Sequence, residues 1–150
     1  MENLRQIYAD YLAEADNVRK KASVFAGIFG LGDDPRKNPC HEAFYEKVQE
    51  WMKAFVAGAP SAEQAREAAW FLLEEPFKNN GAEGYWFLYV CIGLIRELIP
   101  FMSREDCAAL AERMNALYPR RDRMPVQQET FKMLQKAGKY RDSYQCDQHG

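Results

Sequence analysis

The stretch YWFLYVCIGLIRELIP, Tyr85 to Pro100, decides the fold. Tyr85 to Ile95 is an uncharged run of 11 residues, apolar on every side for three turns. A membrane span needs about 20 such residues, so the run predicts a buried element of a water-facing domain. Tyr, Trp, Phe, Val and Ile also favour strands. The length, which continues past Arg96 and Glu97 to Pro100, favours a helix, and no other segment offers a partner strand. A helix that is apolar all round is surrounded by other helices. The expected fold class is therefore all-α: a single-domain antiparallel bundle of five to six helices around a buried central helix at about 85–99.

The neighbouring segments supply the surrounding layer. Leu4, Ile7, Tyr8, Tyr11, Leu12, Ala15, Val18, Ala22 and Phe25 recur at three- and four-residue steps, which predicts one long amphipathic helix. Gly30 and Gly32 stop it. Asn38-Pro39 opens a second helix as N-cap and first helical residue. Its apolar stripe is Phe44, Val48, Trp51, Met52 and Phe55, and Gly58 closes it. Ser61 and Gln64 form a capping box for a third helix, which breaks at Pro76. The turn KNNGAEG, Lys78 to Gly84, leads into the central helix.

Ser103 with Asp106 caps a fifth helix that Pro119 ends. RRDRMP links it to a sixth near Val126–Ala137, stopped by Gly138. Residues 1–138 form the domain, and 139–150 form a loosely ordered tail. Short connections favour antiparallel neighbours.

The bulk composition agrees. At 150 residues, 47% of them hydrophobic, the chain suits one domain with a real core and excludes a disordered one. A net charge of −2 gives no global attraction to nucleic acid or anionic lipid. The charge is uneven, however. Between Pro119 and Arg141 seven Lys/Arg face only Asp122 and Glu129, a local excess of five that leaves −7 elsewhere. The start Met-Glu-Asn lacks a secretory signal pattern. The expectation is a cytoplasmic, reducing setting with four free cysteines.

Three sites compete. Cys40 and His41 stand at the start of the second helix, where the free N–H groups and helix dipole favour a thiolate. His41, one residue on, points about 100° away and is poorly placed to activate that thiol. Cys40, His41, Cys146 and His149 form a donor set that suits tetrahedral zinc and would pin the tail to the second helix, with Asp33 or Asp34 as a substitute oxygen ligand. Adjacent Cys-His lacks the usual two-to-four-residue gap. The structural account needs no ion: His41 lies near the centre of the apolar face of Phe44, Val48 and Trp51, and Cys40 lies at its edge.

The third candidate is the basic segment 120–141, in which Arg120, Arg121, Arg123, Lys132 and Lys136 could meet nucleic acid or an acidic partner. GIFGLG, Gly27 to Gly32, has the wrong order for a dinucleotide loop. The paired carboxylates Asp33-Asp34 and Glu74-Glu75 have no matching acid–base partner.

No motif specifies a reaction, so no catalytic residue and no cofactor are expected. Tyr8, Tyr11, Trp70, Tyr85, Trp86 and Tyr89 supply more ring area than a small core needs. Such a surplus is expected to surface as a binding patch. The functional expectation is a protein-interaction or regulatory module that self-associates, with metal binding and nucleic-acid binding as alternatives.

Overall fold

The computed structural model describes residues 1–29, 40–78 and 84–140. It is an all-α bundle of six helices: α1 (Glu2–Phe29), α2 (Cys40–Ala57), α3 (Ala62–Lys78), α4 (Gly84–Ile95), α5 (Arg104–Leu117) and α6 (Pro125–Gly138). No strand occurs among the described residues. Helix α4 is walled in by α3, α6 and α2. Its Cys91, Ile92 and Ile95 are fully enclosed. Burying each large apolar side chain contributes about 1.5–3 kcal/mol, so this segment anchors the core. No described helix is long and apolar enough to cross a membrane.

The α1 stripe is realised by Leu4, Tyr8, Tyr11 and Ala15, all buried. The capping box of α3 forms in both directions: Ser61 N–H donates to Gln64 Oε1 at 2.9 Å, and Gln64 N–H donates to Ser61 Oγ at 3.1 Å. Ser103 Oγ accepts from Asp106 N–H at 3.1 Å and starts α5. Ala65, Ala68 and Ala69 have no exposed surface, which lets α3 approach α4 closely.

Two expectations are corrected. The central helix ends at Ile95, not near Ile99. Arg96, Glu97 and Leu98 each bond three residues back, and a 3-10 turn follows at Ile99–Phe101. Pro100 explains this, because its ring would clash with the Arg96 carbonyl in a continuing α-helix. Pro76 does not break α3, which runs on to Lys78 with Pro76 buried inside it. The proline falls so near the end that only one helical hydrogen bond is forfeited. The Tyr8 hydroxyl also donates to the Glu75 carbonyl at 3.0 Å, satisfying one of the terminal acceptors.

Helices α2 and α6 close at the two glycines as read, α2 at Ala57 just before Gly58 and α6 at Gly138, and the left-handed residue follows one position later in each. The left-handed residue after α2 is Ala59, with φ 49°, and the one after α6 is Lys139, with φ 51°. Tyr140 N–H bonds Gln135 O at 3.0 Å and Lys139 N–H bonds Lys136 O at 3.3 Å, a Schellman closure. The Tyr140 ring meets Phe131 edge-on at 6.3 Å, so the first two residues of the expected tail are tied to α6. The stops at Gly30 and Gly32, the opening at Asn38-Pro39, most of the KNNGAEG turn and residues 141–150 lie outside the described residues.

Candidate functional site

Helix α3 turns its small residues toward α4 and presents a different set to solvent. Glu63, Arg66, Glu67, Trp70, Glu74 and Phe77 recur at three-, four- and seven-residue steps. At about 100° per residue they share one arc of roughly 120°. Trp70 is half-buried and Phe77 is 37% exposed. Seven residues separate these two rings, about 10 Å along the axis. A groove of about 560 Å³ runs beside Trp70, lined also by Arg5 of α1 and by Glu63, Arg66, Glu67, Phe71, Glu74 and Glu75 of α3.

The flanking helices hold this face. On one side the Arg5 guanidinium lies 5.1 Å above the Phe71 ring and 3.8 Å from the Glu67 carboxylate. On the other, Arg66 meets Asp106 at 4.0 Å. Arg113 forks onto both Glu74 oxygens, with the longer bond 3.2 Å. That hydrogen bond holds the Arg113 guanidinium above its ordinary value. Lys78 reaches Glu75 at 3.3 Å. Exposed pairs of this kind contribute about 0–1 kcal/mol each, so their long side chains are free to exchange partners at little energetic cost.

Behind the face lies a buried polar group. Tyr118, the C-cap of α5, is enclosed, and Phe77 meets its ring edge-on at 5.5 Å. Its hydroxyl finds no hydrogen-bond partner among the described residues. Burial, and after it the nearby Glu74 carboxylate and Cys91, push this phenol up. Burial likewise pushes the Cys91 thiol up, and the Cys107 thiol with help from Asp106. Both cysteines are core residues and poor nucleophiles.

The residues singled out in the sequence are spread apart. Cys40 and His41 open α2 and are buried, with the His41 ring 5.9 Å from Tyr11. Cys146 and His149 lie outside the described residues, as do Asp33 and Asp34. Among the described residues no three His, Cys, Asp or Glu side chains converge as a metal site.

The basic segment divides in two. Arg120 and Arg121 are exposed in a 3-10 turn, and Lys132 and Lys136 are exposed on α6. Arg123 instead serves the fold. Its Nε donates to the Tyr118 carbonyl at 2.8 Å, its Nη1 donates to Gln128 Oε1 at 2.9 Å, and its Nη2 donates to Asn115 Oδ1. The guanidinium also stacks 4.0 Å from the Phe131 ring centroid. A fork so engaged joins α5 to α6 and is poorly placed to turn toward a phosphate.

Of the aromatic surplus, Tyr8 and Tyr11 are core, and the side chains of Tyr85, Trp86 and Tyr89 are not among those described. The α3 face was visible only in part from sequence. Trp70 stood out as an amphipathic ring, while Glu74-Glu75 read only as a carboxylate pair with no acid–base partner. The spacing of Trp70 and Phe77 opposite the Ala65–Ala68–Leu72 stripe carries the signal. The chain matches no protein-family model, no curated protein and no solved structure.

Proposed function

We propose that this chain is a helical protein-interaction module that works in the cytoplasm and grips a helical segment of a protein partner with the outer face of α3. The observation that carries this reading is the pair Trp70 and Phe77. Two aromatic rings one heptad apart stand partly in solvent, and carboxylates and guanidinia rim the groove beside Trp70. An apolar strip with a charged rim is the usual form of a helix-docking surface. Tryptophan and arginine are also the residue types that most often dominate such contacts. The buried, deactivated thiols of Cys91 and Cys107 give no support to covalent catalysis.

The test places a photoreactive phenylalanine at position 77 and, as a control, at the comparably exposed Tyr45 on α2. Irradiation in cells should give a crosslinked protein species from position 77 and not from position 45. Trp70→Ala should remove that species. Absence of any crosslink from position 77 would defeat the reading.

A further inference from the structure

We propose that a hollow between α2, α4 and α6 binds a small amine with an apolar body. The hollow measures about 280 Å³ and shares no lining residue with the α3 groove, so it stands independently of the interaction reading. Its floor is apolar: Val90, Leu94 and Val126 line it and are buried. Its rim is polar: Tyr45 and Glu97 are exposed and Gln49 is half-buried. An apolar concavity with a few polar groups at its edge is the usual form of a small-molecule site. The volume falls just under the common range of about 300–1,000 Å³, so the occupant is small. Gly93 keeps the space open. A β-carbon there would stand 3.3 Å from Val126 Cγ2 and 3.6 Å from Arg96 Nη2, both on residues of the lining. Glycine within a helix is destabilising relative to alanine; what it provides here is room.

The groups around the hollow select the sign of the ligand. The Arg96 guanidinium is already engaged: its Nε donates to the Gly93 carbonyl at 3.2 Å and its Nη1 donates to Glu129 Oε2 at 3.2 Å. Glu129 thus matches the charge of Arg96. The Glu97 carboxylate, the Gln49 carboxamide and the Tyr45 hydroxyl have no hydrogen-bond or ion-pair partner among the described residues. Glu97 therefore leaves one negative charge unmatched in the lining. The hollow also sits at the last turn of α4, where the carbonyl end of a helix favours a cation. Carboxylate and carboxamide oxygens accept hydrogen bonds, so the complementary ligand donates them. An ammonium group at the rim meets Glu97 and Gln49, while its apolar body covers Val90, Leu94 and Val126. The exposed Tyr45 ring adds its own attraction for a cation.

The test is an NMR titration of the full chain at low salt with phenethylamine up to about 10 mM, a range that covers millimolar affinity. The Gly93 amide and the Gln49 side-chain amide should shift and saturate, while the Gly58 amide stays in place. Hydrocinnamate has the same ring and two-carbon chain with a carboxylate in place of the amine, and it should bind at least about tenfold more weakly. Glu97→Gln removes one charge at an exposed position and leaves the core untouched. It should weaken phenethylamine about three- to tenfold. Gly93→Ala puts a methyl group into the hollow and should abolish the Gln49 shift; a cooperative melting curve shows that this variant has folded. Glu97→Gln keeps the proposal open to refutation if it has not. Shifts that never saturate, hydrocinnamate binding as well as the amine, or a Glu97→Gln variant that binds like wild type would each overturn the proposal.

Discussion

Gly138 lies so near Ala108 that a β-carbon on it would stand 2.4 Å from the Ala108 nitrogen and 2.7 Å from its Cα. The obstacle is backbone, which cannot swing aside. Helices α5 and α6 approach closely here, and the hydrogen on Gly138 is what permits it. Gly138→Ala should cost about 2–3 kcal/mol by forcing the two helices apart. Gly58 is the control. Its β-carbon would meet only ordinary contacts at 3.6 Å, so Gly58→Ala should change stability by less than about 1 kcal/mol. Urea titration of both variants checks the contrast.

Lys139 holds a left-handed backbone that only glycine adopts without strain, with φ 51° and ψ 35°. Relief of that strain outweighs the extra freedom glycine gives the unfolded chain. Lys139→Gly should therefore stabilise the protein by about 0.5–1 kcal/mol. A melting temperature that falls would count against the assigned closure of α6.

The buried phenol of Tyr118 and the thiol of Cys91 make stability sensitive to alkali. Both groups are pushed up in the fold, from ordinary values of 10.0 and 9.0. Above about pH 9 the unfolded chain releases these protons while the folded chain keeps them. Stability is fully present below about pH 9 and falls as pH rises, by up to about 1.4 kcal/mol per pH unit for each fully ionising group. Tyr118→Phe removes one of these groups, while Cys91 and the likewise raised Cys107 remain. It also removes a hydroxyl left unsatisfied among the described residues, so it should be neutral or stabilising at about pH 7. It should flatten the alkaline loss as well. Denaturant midpoints between about pH 7 and 10.5 read both effects.

Arg123 ties the Tyr118 carbonyl, Asn115 and Gln128 together while covering Phe131. A lysine keeps the charge and loses the planar fork. Arg123→Lys should cost about 1–3 kcal/mol, whereas Arg120→Lys, at an exposed position, should change stability by less than about 0.5 kcal/mol. Equal effects would refute the clamp.

Local signals were the legible part of this fold. The apolar run around Cys91, the stripe from Leu4 to Ala15, and the caps at Ser61 and Ser103 each depend on residues a few positions apart, and each formed as read. What was hidden depends on distance through space. Gly138 read as a helix stop because its neighbour Ala108, 30 positions away, is invisible in the linear chain. Arg123 read as one cation of a patch because its three acceptors come from α5, α6 and the turn between them. The end of α4 was misjudged because Leu98 stays buried after the helix has closed, so hydrophobicity continued where the α-geometry did not. The outer face of α3 was half legible. Trp70 was conspicuous and Phe77 was not singled out, and the partial exposure of both rings follows only from how α3 packs.

The first two turns of α1 serve as a buttress for the outer face of α3. Arg5 lies over Phe71 and reaches Glu67, and the Tyr8 hydroxyl caps the Glu75 carbonyl. Whatever is attached to or clipped from the front of the chain is thus felt on the opposite helix. Removal of residues 1–8 would take away Arg5 and Tyr8 and loosen the groove.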